Sequence, residues 1–261
     1  VLIAMAVFDT KENKRTQQTE ETLWALKKTV NFTRHRLFVC DNGSCDETMK
    51  LYERMHNEFL FEVIENKKNL GTAVAINRAW AKREPGEHCV KMDNDVTIHE
   101  SDWPDLMEFV FAKEPKIGIC GLKRKDIWES PDTSHGEYYR STLELMPHEP
   151  GERWIIVEDV NHVIGTCQAY SSLLLDEIGY LYQMQDQGNL YGFDDSLASL
   201  RAEIAGFRRV FLPHISIDHI DPGGTEFTDW KKVNAGDWMG AYHKARDEYK
   251  SGERSIFYQG P

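Results

Sequence analysis

Cys89-Val-Lys-Met-Asp93-Asn-Asp95-Val-Thr-Ile98 is the stretch on which the reading of this 261-residue chain turns. A short apolar run ends in two carboxylates, Asp93 and Asp95, two residues apart. In a strand, where side chains alternate with a period of two, both carboxylates point to one side. Paired oxygen ligands at a strand's carboxyl end suit Mg²⁺ or Mn²⁺ carrying a diphosphate. An Asp-x-Asp triplet alone is common in acidic loops, so its weight comes from its neighbours.

Upstream, the sequence alternates between two periodicities. Leu2–Phe8, Arg36–Cys40, Phe61–Ile64 and His88–Met92 read as strands. Between them, Thr19–Thr29, Asp46–Glu58 and Gly71–Lys82 read as helices, with Asp46 as the expected N-cap of the second. This rhythm predicts a mostly parallel sheet with helices on both faces, and ligands beyond the carboxyl ends of its strands. Asp9, Asp41 to Ser44, Asn66 to Leu70 and Asp93 to Asp95 all fall at such ends.

Downstream, the spacing predicts a helix over Trp103–Lys113, a strand over Ile117–Gly121, and a long loop from Lys123 to Arg153. Val163–Tyr170 reads as a strand, Leu173–Gly179 and Ser196–Ala205 as helices, and Arg209–Ile217 as a last strand. The tail from Pro222 has weak periodicity, and Gly223-Gly224 within it suggests a lid.

Composition narrows the class. An apolar fraction of 41% fits a globular protein, and no run approaches the ~18 consecutive apolar residues of a membrane span. The opening Val1–Phe8 reads as a buried strand, not a signal peptide. Cysteines 40, 45, 89, 120 and 167 form no Cys-x-x-Cys pair, which points away from zinc and disulfides and towards a reducing, cytoplasmic setting. A net charge of −12 disfavours general nucleic-acid binding, although basic clusters such as Lys123-Arg124-Lys125 could line a local groove.

Four segments stand in a particular order. Leu37-Phe-Val-Cys-Asp41-Asn42-Gly43-Ser44 comes first, then Asn66-Lys-Lys-Asn69-Leu70-Gly71, continuing to Asn77-Arg78. Met92-Asp93-Asn94-Asp95 follows, and then Leu190-Tyr-Gly-Phe193-Asp194-Asp195, with Arg201, Pro213 and His219 beyond. Over about residues 2–221 this order resembles the family-2 glycosyltransferases of the GT-A fold, a Rossmann-like α/β domain with a mostly parallel central sheet flanked by helices. The resemblance implies a nucleotide-sugar binding half at about 1–98, an acceptor half at about 99–221, and a C-terminal extension at 222–261.

The same resemblance assigns roles. Asp9, Asp41, Asn42, Asn69, Gly71, Asn77, Arg78 and Asp93 become the donor-binding set, with a UDP-sugar favoured. Independently of it, Asp41 at a strand end could accept hydrogen bonds from a base or ribose, and the helix opened by Gly71 offers unpaired N–H groups to phosphate. Asp93, Asp95 and His219 become the ligands of Mn²⁺ or Mg²⁺, with His214 the competing imidazole. Asp195 becomes the general base of an inverting displacement and Asp194 its partner, while a first-turn acid and cap is the plain structural reading of the pair. Arg201 is expected to brace this helix or the diphosphate, and Trp128, Trp154, Trp230 and Trp238 are candidate stacking surfaces.

The acceptor is open: a glycan, a hydroxymethylated DNA base, a protein side chain or a metabolite would each serve. Two readings compete with sugar transfer. A nucleotidyltransferase expects a glycine-rich basic loop after the first strand, where this chain has Asp9-Thr-Lys-Glu-Asn-Lys-Arg15. An inactive nucleotide-sugar binder expects the acidic residues to be lost, and they are present.

Overall fold

The computed structural model describes residues 1–125, 143–147, 154–184, 192–220 and 238–260. In chain order the first half runs β1 (Leu2–Val7), α1 (Thr16–Thr29), β2 (Arg36–Asp41), α2 (Asp46–His56), β3 (Glu62–Glu65), α3 (Thr72–Trp80) and β4 (Cys89–Met92). The second half runs β5 (Val96–Ile98), α4 (Trp103–Lys113), β6 (Ile117–Arg124), β7 (Leu143–Pro147), β8 (Trp154–Asp159), β9 (Cys167–Tyr170), α5 (Ser172–Ile178), α6 (Asp194–Ile204), β10 (Arg208–His219) and α7 (Trp238–Ser251).

The strands form one mixed sheet in the order β3-β2-β1-β4-β9-β6-β10-β8-β7, with β5 paired to the end of β10. From β3 to β4 all pairing is parallel. β1 is apolar on both faces, as a strand flanked and covered on both sides must be: Ile3, Met5 and Val7 enter one core layer, Leu2 and Ala4 the other. Helices α1, α2 and α4 cover the first face through Leu26, Leu51, Met55 and Trp103. Helices α3, α5 and α6 cover the second through Ile76, Trp80, Leu174 and Ala198. The predicted α/β architecture is therefore present, as a single domain.

Beyond β4 the sheet departs from the parallel expectation. β9 enters antiparallel between β4 and β6, and β8 and β7 complete an antiparallel edge beside β10. The expected loop from Lys123 to Arg153 holds strand β7, and β8 follows it; β6 also continues to Arg124. Edge strands draw their order from pairing with a distant partner, which local periodicity does not record. The strand expected over Val163–Tyr170 is limited to Cys167–Tyr170.

Two smaller corrections are local. Cys45, not Asp46, occupies the N-cap of α2; Asp46 and Glu47 sit in the first turn, where the helix dipole favours them. The tail, expected to have only weak periodicity, carries the 14-residue helix α7. Its buried positions are Ala241, Ala245 and Tyr249, and a stripe made largely of alanine is a weak hydrophobic signal. Gly223-Gly224 and the lid expectation lie outside the described residues.

Candidate active site

The chain reverses direction across the sheet between β1 and β4, and a cleft of about 380 Å³ opens beyond their carboxyl ends. Such a switch point is where open α/β sheets bind ligands. Val7 ends β1 there with Phe8 just beyond it, and Asp93 follows β4. The cleft takes in Asn42, Asn69, Asp93, Asp95, Asp194, Asp195 and His219 of the sequence-derived set.

β4 and β10 place the first acidic group. Cys89 packs in one core layer and Val90 and Met92 in the other, so Lys91 and Asp93 share the face of Cys89. β5 pairs antiparallel with the end of β10 and sets His219 opposite Val96. His219 Nε2 thereby reaches within 3.3 Å of Asp95 Oδ2, and Arg15 pairs with the same oxygen. Asp95 Oδ1 is buried without a hydrogen-bond partner. Burial works to raise the Asp95 carboxyl, but His219 and Arg15 outweigh it and the net direction is down.

Asp93 behaves in the opposite sense. Burial pushes its carboxyl up to about 6, with Asp95 and Asp194 adding to the push and Lys91 opposing it. Among the described residues, only His35, Asp105 and Glu108 bring three ligand atoms within 4.8 Å of one another. Asp93, Asp95 and His219 thus face one cleft without that degree of closure.

The second acidic group stands at the start of α6. Phe193 occupies its N-cap at φ 60°, a left-handed conformation rare for a bulky residue. Asp194 Oδ2 pairs with Lys91 Nζ at 2.8 Å, and Lys91 is only 4% exposed. Asp195 Oδ2 accepts the Gly165 N–H at 2.9 Å and lies 3.6 Å from His162 Nε2. Burial tends to raise the Asp195 carboxyl, but His162, Lys91 and two backbone N–H groups bring it below the usual carboxylate range. A Cβ at Gly165 would lie 2.9 Å from Lys91 Nζ and 3.0 Å from Asp195 Oδ2, so a larger residue there would press on both side chains.

The remaining expected residues lie deeper or elsewhere. Asp9 is fully buried, accepts from Thr19 at 2.7 Å and from Asn94 at 3.0 Å, and is pushed by burial to about 6. Asp41 accepts the N–H groups of Gly43 and Ser44 and the Tyr52 hydroxyl, each at 2.9 Å, so its carboxylate works inward. Asn69 caps the Gly71 N–H at 2.9 Å, and its buried Nδ2 has no partner. Gly71 sits at the α3 N-cap with φ 86°. The helix start it opens is partly engaged already, because Gln183 Oε1 accepts the Val74 N–H at 3.1 Å.

Asn77 holds the Leu181 backbone through both its amide atoms, and Arg78 binds Asn66. Arg201 donates to the carbonyls of Tyr180 at 2.8 Å and Ile256 at 2.7 Å, and to that of Ile178. It therefore braces the chain rather than any ligand. His214 is exposed on β10, and Asp218 pairs with His99 and Lys125, away from Asp95. Trp154 is 61% exposed on β8; Trp128 and Trp230, and the side chain of Trp238, lie outside the described residues.

Three groups at the cleft escaped the sequence reading: Arg15, Lys91 and Gly165. Lys91 had a visible signal, a lysine inside an otherwise apolar strand and two residues before Asp93. Arg15 had only its basic character after β1, and Gly165 none.

The profile of glycosyl transferase family 2 matches residues 13–179, which run from before α1 through β4 to α5 and include both aspartates of Asp93-Asn94-Asp95. The chain belongs to this family. Membership makes it a glycosyltransferase.

Solved structures share the fold at low identity. A mannosyltransferase from Pyrobaculum calidifontis, PcManGT, in complex with GDP-Man and Mn²⁺ is 16% identical, with a TM-score of 0.61 over 98% of this chain and 70% of that one. GalNAc-T7 with UDP, GalNAc and Mn²⁺ is 14% identical, with a TM-score of 0.61 over 84% of this chain and 43% of that one. S. aureus TarS in complex with UDP is 18% identical, with a TM-score of 0.56 over 83% and 60%. No curated protein matches. Among the described residues no helix is long and apolar enough to cross a membrane.

Proposed function

We propose that the chain transfers a sugar from a nucleoside-diphosphate sugar to an acceptor hydroxyl, with a divalent cation bound and with inversion. The observation that carries this reading is the meeting of two acidic groups, Asp93–Asp95 and Asp194–Asp195, across one cleft at the sheet's switch point, with Lys91 between them. The glycosyltransferases that share the fold were solved with GDP-Man or UDP, two of them with Mn²⁺, which supports the same donor class and metal here.

The residues fit a cation. Asp95 Oδ1 is a buried oxygen lacking a partner, and Asp93 and His219 supply further oxygen and nitrogen donors of the kind Mn²⁺ accepts. When bound, the cation would neutralise charge developing on the departing nucleoside diphosphate. Mg²⁺ suits the carboxylates but is served less well by an imidazole.

The chain's own groups then divide the work. Asn42 and Asn69 line the donor side of the cleft, and Arg15 and Lys91 hold the two acidic groups in place. Asp195, kept ionised, takes the proton of the acceptor hydroxyl as that oxygen bonds the anomeric carbon and the carbon–diphosphate bond breaks. The Gly165 N–H and His162 orient its carboxylate.

The experiment is nucleotide release from UDP-, GDP- and dTDP-sugars, with Mn²⁺ and with chelator. Slow release from one donor class, lost in chelator, is the expected result. Equal release with and without metal would remove the cation from the reading, and release from none would remove the donor.

A further inference from the structure

A second cavity, of about 510 Å³, lies between α6 and α7. It meets the first cleft at two places. His162 lines the cavity and stands 3.6 Å from Asp195 Oδ2, which faces the cleft. Tyr242 lines the cavity and stacks on Phe193 of the cleft, with centroids 4.3 Å apart and planes at 24°. The left-handed backbone of Phe193 holds that ring on the boundary between the two spaces.

The walls are two parallel tracks. Ser196, Leu200 and Ile204 recur every fourth residue on α6, and Tyr242, Arg246 and Lys250 do so on α7. Eight residues of helix span roughly 12 Å, so the groove is elongated, with Ser196 and His162, the neighbours of Asp195, in its wall. Its charge runs against that of the whole chain. Arg246 and Lys250 line it against one acid, Glu203; Asp247 pairs with Arg246 at 2.8 Å and Arg209 with Glu203 at 3.4 Å, which leaves a small positive excess along the groove. The net charge of the chain is −12, so a cationic groove leading to its proposed base is a selective feature.

We propose that this groove seats the acceptor, and that the acceptor is a saccharide carrying carboxylate or phosphate groups. The Tyr242 ring and Leu200 offer apolar surface to sugar ring faces, while Arg246 and Lys250 meet the acid groups. The hydroxyl to be glycosylated then reaches Asp195 from the α7 side while the donor lies on the β4 side. Nucleic acid is disfavoured, because two cations and one tyrosine make no continuous track for a phosphate backbone. The inference rests on the donor reading of the first cleft, so its test uses neither donor nor metal.

The test is a binding array of neutral, uronate-bearing and phosphorylated oligosaccharides, with single- and double-stranded oligonucleotides beside them. Wild type is compared with the pair Arg246→Glu/Lys250→Glu and with Leu200→Trp, and near-ultraviolet circular dichroism checks each fold. Binding confined to acidic saccharides, weakened at least tenfold by charge reversal and also by filling the groove, is the expected result. If Leu200→Trp alone folds, the loss it causes on acidic spots still decides the matter. Binding to neutral saccharides alone, to oligonucleotides alone, or to nothing overturns the proposal. Nucleoside diphosphate titration of the same variants is expected to match wild type, which separates failure of the groove from failure of the donor site.

Discussion

Asp93 and Asp95 stand two residues apart and are driven in opposite directions. Burial leaves Asp93 near 6, whereas His219 and Arg15 overcome burial at Asp95 and hold it low. A carboxyl raised above its unfolded value binds more protons folded than unfolded between the two values. Its contribution to stability is complete below the unfolded value and is lost as pH rises through about 6 for Asp93 and likewise for Asp9. Asp93→Asn is therefore expected to raise the metal-free melting temperature at pH 7 by a few degrees, on the order of 1–2 kcal/mol, with no difference at pH 4. Scanning calorimetry checks this, and in Mn²⁺ the order is expected to reverse because only wild type gains the ligand's stabilisation. Asp195→Asn is expected to slow sugar transfer about 10²–10⁴-fold while nucleotide binding persists, as steady-state kinetics beside a binding titration would show. At this scale the sequence was legible where chemistry repeats a spacing, as at Asp93-Asn94-Asp95 and Asp194-Asp195. It was silent on Gly165, whose role exists only because β9 brings it beside Lys91 and Asp195.

Elements carry those residues to one another, and two joints matter most. β5 is three residues long, yet its pairing with the end of β10 delivers His219 to Asp95. Helix α6 carries Asp194 and Asp195 at its start and Arg201 further along, where Arg201 is fully buried and gathers carbonyls from residues 178, 180 and 256. Arg201→Met leaves those acceptors unsatisfied and is expected to cost on the order of 3 kcal/mol. Hydrogen exchange would show it first in residues 238–260, whose helix α7 packs Ala241, Ala245 and Tyr249 against Tyr182 and Leu197. Gly71→Ala is expected to destabilise by about 1 kcal/mol or more in denaturant titration, because φ is 86° and a Cβ would meet the Gln183 side chain. Helices α1 and α4 were plain in the sequence, through Leu23 and Leu26 in the first and Trp103, Leu106, Met107 and Val110 in the second. α7 was not, since alanines bury well in a close helix contact but contribute little to a hydrophobic pattern.

For the whole molecule, the parallel half was readable because each strand and its crossover helix are local in sequence. The second half was not, because β9, β8 and β7 find their places through antiparallel pairing across long intervals. The order β3-β2-β1-β4 creates the switch point, and the family match, from residue 13, covers β2, β3, β4 and the acidic motif that follows. Everything proposed for the molecule depends on a nucleotide and a cation sharing the cleft there. The measurement that tests this most directly is a Mn²⁺ titration followed by electron paramagnetic resonance, alone and with UDP, GDP or dTDP. It is run on wild type, Asp93→Asn, Asp95→Asn and Asp195→Asn. The account predicts that one nucleoside diphosphate tightens Mn²⁺ binding at least tenfold in wild type and in Asp195→Asn, and that both other variants lose the effect. Mn²⁺ binding that is indifferent to all three nucleotides, or unchanged by loss of Asp93 and Asp95, would contradict it.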